Sequence, residues 1–226
     1  MLCHPRLRTA LAGILILCIV WEAAAVAINP FRRTAPVAAL AERIPPGQSL
    51  ARDFPVLHYG PVPRVDLKTW NLRLYGEVET PLEVNWEQFR QLPRQQVTLD
   101  IHCVTRWSKL DTPWEGADMQ ALLAQIKPTA RAYFVVAESE YGFTTSVPLE
   151  VLADPQTLIA DTYEGKPLTA EHGYPARLII PGKYFWKSAK WLRALKFVQR
   201  DELGFWERHG YHNEANPWKE ERFSND

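Results

Sequence analysis

Short strand and helix patterns alternate irregularly along this sequence, and their order limits the folds available to the chain. Helical spacing and capping residues predict helices over residues 83–92 and 118–126. Alternating or β-branched segments predict strands over residues 70–74, 97–101, 133–137, 177–180 and 191–198. Because these elements follow no regular βαβ rhythm, we expect an α+β fold of mixed strands with short helices.

The beginning of the 226-residue chain differs from the rest. Residues 1–28 contain an apolar run from position 9, long enough to cross the roughly 30 Å core of a bilayer. The same features fit a cleaved secretory signal or a start codon placed too early. Proline-rich residues 29–52 predict a linker. Apolar and charged contents of 46% and 23% exclude disorder and a multi-span membrane protein, so we expect one folded domain over residues 53–226.

Charge is balanced overall but segregated locally. Lys+Arg and Asp+Glu both number 26, which excludes a general electrostatic attraction to nucleic acid. The segment 172–200 has no acidic residue and seven basic ones: Arg177, Lys183, Lys187, Lys190, Arg193, Lys196 and Arg200. This pattern predicts an anion pocket, with tight turns at residues 181–182 and 187–190 exposing backbone N–H groups. The alternative is a solvated strand edge whose lysines oppose aggregation.

Cys103 is the one cysteine of the predicted domain, so no disulfide can form within it. Three roles fit this thiol. It is a small buried apolar side chain, or the nucleophile of a thiol hydrolase with His172 as base, because His102 is expected to point to the opposite side of the strand. As a thiolate ligand it would suit a soft metal, and Arg106 nearby would favour the ionised form. Nine tryptophans further predict broad aromatic packing or a pocket floored by rings.

Several separated motifs occur in an order that resembles the sulfite-oxidase family of molybdopterin-dependent oxidoreductases, and in particular its short bacterial members. The resemblance covers about residues 53–223. The motifs are IHCVTRWS at 101–108, WEG at 114–116, HGYPAR at 172–177, PGKY at 181–184, KSAKW at 187–191, GFWE at 204–207, GYH at 210–212 and PW at 217–218.

The resemblance implies a sulfite-oxidase-type molybdopterin-binding domain and a set of site residues. In that family a cysteine thiolate ligates molybdenum, and by motif this residue is Cys103. The remaining residues implied to hold the molybdenum cofactor, its pterin or its phosphate are His58, Arg106, Ser139, His172, Arg177, Lys187, Ser188 and Lys190.

One departure from the family concerns the substrate. True sulfite oxidases have an upstream arginine that grips the anionic substrate, whereas Leu57 stands at the corresponding place here. We therefore expect oxygen-atom transfer to or from a small sulfur or nitrogen compound, and the missing arginine puts sulfite itself in doubt and leaves neutral S-oxides or N-oxides open as substrates. The alternatives are a non-catalytic cofactor-binding or assembly module and the thiol hydrolase.

Partners and location follow from the same resemblance. The sequence shows neither the family's C-terminal dimerisation domain nor its haem-binding domain, so we expect electrons to pass to a separate partner, such as a membrane haem protein. We expect membrane association through residues 1–28, with export to the periplasm as the alternative.

Overall fold

The computed structural model describes residues 40–225, which contain eleven strands and four short α-helices. In chain order the strands are β1 (Ser49–Leu50), β2 (Asn71–Gly76), β3 (Leu82–Asn85), β4 (Arg94–His102), β5 (Trp107–Asp118), β6 (Phe134–Ser139), β7 (Thr144–Pro148), β8 (Leu158–Tyr163), β9 (Lys166–Pro167), β10 (Arg177–Ile179) and β11 (Leu192–Val198). The helices are α1 (Trp86–Arg90), α2 (Met119–Ile126), α3 (Leu149–Leu152) and α4 (Phe205–Arg208).

These strands form two mixed sheets. The six-stranded sheet has the order β1-β5-β8-β10, with β4 paired to β5 and β9 paired to β8. The five-stranded sheet has the order β3-β2-β11-β6-β7, in which β11 runs parallel to β2 and antiparallel to β6. The observed architecture therefore confirms the α+β prediction of mixed strands with short helices.

Apolar side chains cover both faces of the six-stranded sheet. Leu178 of β10 joins the large core that also buries α2 and the five-stranded sheet. Ile179 points to the other face, where it packs with Trp114 and Leu99 under the rings of Phe54 and Phe185. Since strand side chains alternate, Arg177 shares the face of Ile179 and not that of Leu178.

Several sequence predictions agree closely with these elements. The five predicted strands coincide with β2, β4, β6, β10 and β11. The helix predicted over 118–126 is α2, and the carboxylate of Asp118 caps it by accepting from the N–H of Gln120 at 2.9 Å.

Other predictions need correction. The helix expected over 83–92 is shorter, because Leu82 and Val84 alternate as a strand and pair with β2 before α1 begins at Trp86. The linker expected over 29–52 is also shorter, since Ser49 and Leu50 pair with β5. Residues 29–39 of that linker lie outside the described residues.

The apolar run within residues 1–28 likewise lies outside the described residues. Between residues 40 and 225 no helix has both the length and the apolar character needed to span a bilayer.

Candidate functional site

A cavity of about 500 Å³ lies over the Trp114 face of the six-stranded sheet. Loops and turns rather than regular elements supply most of its walls. They are the irregular segment 54–61, the loop after β4, the turn after β6, the segment from His172 to Arg177, the turn before β11, and α4 with Tyr211. A concave site lined mainly by rings, with a few convergent polar groups, is typical of a cofactor or substrate site.

Cys103 lies in this cavity directly after β4. Its N–H donates to Trp107 O at 2.8 Å and its carbonyl accepts from Arg106 N at 3.0 Å, so the following residues form a tight turn. Its Sγ accepts from the hydroxyl of Thr105 at 3.1 Å. Burial raises the pKa of the Cys103 thiol, and the Thr105 hydrogen bond and the Arg222 charge oppose that rise.

No imidazole among the described residues is hydrogen-bonded to Cys103. The ring of His102 is buried on the side away from the cavity, with Nδ1 2.8 Å from Ser108 Oγ, as strand alternation predicts. His172 lines the cavity, but its Nδ1 lies 3.0 Å from Thr169 Oγ1 and its ring stacks on Phe54. The thiol-hydrolase hypothesis therefore lacks its base in this geometry.

Arg177 is a buried cation in the cavity wall, with 2% of the residue exposed. Its guanidinium donates to His172 O at 3.0 Å and to Ser188 O at 2.8 Å, and it lies over the ring of Phe185. Within residues 40–225 it forms no ion pair with a carboxylate at 4 Å or less. Burial lowers the pKa of Arg177 to about 9.

Lys190 approaches the same end of the cavity. Its Nζ donates to the carbonyls of Leu57 and Glu171, both at 2.8 Å, and it too has no ion-pair partner in the described part of the chain. Burial, and then the charge of Arg177, lower the pKa of Lys190 to about 7. Two cations that repel each other and have no carboxylate of the described residues within ion-pair distance form a site that fits an anion such as a phosphate.

The main chain permits this close approach of the two cations at Gly173. Gly173 has a φ of +112°, and an added Cβ would lie 3.1 Å from Arg177 Cβ and 3.2 Å from Lys190 Cβ. A side chain here would be strained by the backbone conformation and would crowd both stems.

The remaining polar groups of the cavity fit a ligand as well. Ser188 Oγ accepts from Ile180 N at 2.9 Å, which leaves its hydroxyl hydrogen available. His172 Nε2 is buried without a hydrogen-bond partner among the described residues. Burial lowers the pKa of His172, so its ring is neutral at pH 7 and one nitrogen can accept. His58 lines the cavity with Nδ1 2.9 Å from Gly60 O.

Three residues predicted from the sequence lie away from this cavity. Arg106 is exposed and lines a separate small pocket with Lys219 and Glu220. Lys187 points into the interior, where Nζ pairs with Glu207 at 2.5 Å. Ser139 is buried at the end of β6, while the next two residues face the cavity instead.

Only one of the two turns that were expected to present backbone N–H groups lines the cavity. Pro181 and Gly182 do not line the cavity, whereas Ser188, Ala189 and Lys190 do. His209 and His212 also make hydrogen bonds within this part of the chain, between Nδ1 of His209 and Phe205 O and between Nδ1 of His212 and Glu214 N.

Sequence reasoning missed the individual aromatic residues of the wall. Its one general signal was the high tryptophan count, which predicted a pocket floored by rings. The rings that line the cavity belong to Phe54, Tyr59, Trp107, Tyr141, Phe143, Phe185, Trp186, Trp191, Phe205, Trp206 and Tyr211. Those of Tyr141 and Phe143 belong to none of the motifs and reach the cavity only through the fold.

Comparison with known proteins identifies the family of this chain. Residues 59–206 match the model of the oxidoreductase molybdopterin-binding domain. The chain is 43% identical over 183 residues to the uncharacterized oxidoreductase YuiH of Bacillus subtilis, covering 80% of this chain and 92% of that protein. The chain belongs to this family of molybdopterin-binding oxidoreductases, which implies molybdopterin with its molybdenum as the cofactor.

More distant relatives agree with this assignment. The protein-methionine-sulfoxide reductase catalytic subunit MsrP of Campylobacter jejuni is 26% identical over 172 residues, which cover 66% of this chain and 58% of that protein. The crystal structure of the sulfane dehydrogenase SoxCD from Paracoccus pantotrophus matches with a TM-score of 0.58 at 20% identity, covering 77% of this chain and 55% of that chain. The latter likeness shows a shared fold, and this chain spans little more than half of either protein.

Proposed function

We propose that this oxidoreductase transfers an oxygen atom to or from a small, uncharged sulfur or nitrogen compound, with an S-oxide as the favoured substrate. The observation that carries the cofactor site is a pair of neighbouring cations, the buried Arg177 and the half-buried Lys190, neither of which has a carboxylate of the described residues within 4 Å. The observation that carries the substrate class is the aromatic character of the outer cavity.

Five cavity residues have roles in this proposal. Cys103 would supply a thiolate ligand to molybdenum, and a thiolate is the soft ligand that such a centre needs. Arg177 and Lys190 hold the phosphate of the cofactor, while Ser188 donates and His172 accepts at its polar edges. When bound, the cofactor supplies two-electron redox chemistry coupled to movement of an oxygen atom.

The mouth of the cavity favours an uncharged substrate. Leu57 occupies the place where the resemblance expects a substrate-gripping arginine, and the surrounding rings of Tyr59, Tyr141 and Phe205 carry no charge. With Arg177 and Lys190 holding the cofactor phosphate, a dianion would lose its hydration here without gaining a charge-assisted donor. The name of the relative MsrP, a sulfoxide reductase, supports an S-oxide, and we extend that substrate class to this chain.

A separate protein exchanges electrons with the site in this proposal. We propose that the enzyme lies beside a membrane electron carrier and that the apolar run within residues 1–28 anchors the enzyme in the membrane. The name of MsrP, a catalytic subunit, supports the existence of a second component.

The decisive experiment is metal analysis combined with a substrate panel. Protein purified from a host that makes the cofactor should contain about one molybdenum per chain and reduce methyl phenyl sulfoxide with a reduced viologen dye. Sulfite oxidation, measured separately with an oxidised electron acceptor such as ferricyanide, should be much slower. Cys103→Ser is the matched control, since it changes one atom of the proposed ligand. Full metal content without turnover of any S-oxide, N-oxide or sulfite would favour the binding or assembly module instead.

A further inference from the structure

Lys187 and Glu207 form an ion pair in the interior, with 1% of each side chain exposed. Glu207 Oε1 accepts from Lys187 Nζ at 2.5 Å, from Thr145 Oγ1 at 2.8 Å and from Trp186 Nε1 at 3.2 Å. Lys187 Nζ also donates to Ser146 O at 2.7 Å. One carboxylate oxygen therefore connects three separate parts of the chain: the turn before β11, β7 and α4.

Two of these parts form walls of the cavity. The turn contributes Phe185 and Trp186, and α4 contributes Phe205 and Trp206. The turn has further anchors, because Ser188 Oγ accepts from Ile180 N and Leu178 N donates to Ala189 O at 2.9 Å. By contrast α4 is a four-residue helix with no side-chain cap, so its position depends more strongly on Glu207.

The packing of α4 against β7 is close as well as polar. A Cβ added at Gly204 would lie 2.4 Å from Thr145 Cα and 2.5 Å from Glu207 Oε2. Glycine at this position lets the start of α4 approach β7, and the ion pair then fixes its orientation. A buried ion pair contributes little net stability compared with apolar side chains of similar size, so its value is in specifying one geometry.

We infer that Lys187 and Glu207 are positioning residues that hold α4, and with it Phe205 and Trp206, as the aromatic outer wall of the cavity. The pair acts on substrate selection and leaves the anion grip of Arg177 and Lys190 largely unchanged. The substrate part of this inference rests on the proposed S-oxide function, whereas the structural part does not.

The test replaces the pair by side chains of similar length, Lys187→Met/Glu207→Met. The matched control is Lys196→Met/Glu202→Met, which removes an exposed pair of 2.9 Å separation elsewhere on the molecule. Protein containing 5-fluorotryptophan is examined by fluorine NMR without cofactor, with the Trp206 resonance assigned through Trp206→Phe. Sulfate affinity of the same samples reports on the anion grip.

We expect the Trp206 resonance to shift or broaden in the Lys187/Glu207 variant and not in the control, with sulfate affinity within about twofold of wild type. In the loaded enzyme, kcat/KM for methyl phenyl sulfoxide relative to dimethyl sulfoxide should fall about tenfold, mainly through KM. An unchanged Trp206 resonance, or a loss of sulfate affinity as large as the change in selectivity, would overturn the inference.

A single variant keeps the inference testable if the double variant does not fold. Glu207→Gln retains an oxygen acceptor for Thr145 and Trp186, so we expect a smaller change in the same direction, and wild-type behaviour would again overturn the inference. Wild-type enzyme that reduces neither sulfoxide would overturn the proposed function, while the Trp206 resonance would still decide the role of the pair.

Discussion

Replacing Arg177 with methionine tests the anion site most directly. The methionine keeps a flexible apolar side chain over Phe185 but removes the buried charge. Burial lowers the pKa of Arg177 to about 9, because the guanidinium has lost hydration that no carboxylate within ion-pair distance replaces. A bound anion would supply the missing charge-assisted hydrogen bond, so the expected loss on removing the charge is the value of one such bond.

Such a bond is worth about 1.5–3 kcal/mol. Arg177→Met should therefore weaken anion binding roughly tenfold to a hundredfold. Its effect on cofactor content should be equally direct, with less molybdenum per chain after purification. Reduced occupancy, and not slower chemistry at full occupancy, is the expected signature.

The assay is sulfate-dependent stabilisation of the cofactor-free protein at constant ionic strength. A ligand that binds the folded state raises stability in proportion to the logarithm of its concentration above Kd. Arg200→Met is the matched control, because Arg200 belongs to the same basic segment but is exposed. Equal stabilisation of Arg177→Met and wild type by sulfate, or an equal loss in Arg200→Met, would refute the reasoning.

Three further predictions concern other parts of the site and chain. Because the pKa of Lys190 is lowered to about 7, sulfate affinity of the cofactor-free protein should fall by up to tenfold per pH unit above pH 7, as Lys190 loses its proton. Lys190→Met should abolish this dependence between pH 7 and pH 8, where Arg177 with its pKa of about 9 still keeps most of its charge. Cys103→Ser should show the circular dichroism spectrum of a folded protein but should lose turnover, because an alkoxide is a harder and more basic ligand than a thiolate. Unchanged activity would contradict the ligand assignment. The apolar run within residues 1–28 should keep the enzyme in the membrane fraction with its N-terminus uncleaved, and a soluble mature chain beginning near Ile28 would contradict the anchor.

The sequence was most informative where local chemistry is sufficient. Asp118, helical spacing and Pro128 defined the boundaries of α2 because capping and proline effects act within one turn. The motif order led to the family. The basic segment 172–200 predicted an anion pocket, because such a site needs cations without competing carboxylates, and the resemblance selected Arg177 and Lys190 within it, together with Lys187. These features depend on residues that are close together in the sequence, and they do not depend on contacts between distant segments.

The sequence analysis did not predict strands β5, β7 and β8, and the structure shows the reason for β5 and β8. Apolar side chains pack on both faces of the six-stranded sheet, so β8 is nearly continuously buried and shows no alternation that could be recognised. β5 contains both Pro113 and Gly116, which usually interrupt strands. Here a Cβ at Gly116 would lie 2.0 Å from Ile159 O, so glycine is what permits the neighbouring strand to approach.

The tertiary structure decided which cations face the cavity and which are paired in the interior. Lys187 and Lys190 are three residues apart in one basic segment, and both fit an anion-binding role by charge and motif. The turn over Phe185–Lys187 directs Lys187 inward, where the carboxylate of Glu207, twenty residues away, neutralises it. Lys190 reaches the cavity, and no carboxylate of the described residues lies within ion-pair distance of it. The sequence thus determined which residue types were available, whereas only the fold determined which charges were already paired, because pairing depends on distances between segments that are remote along the chain.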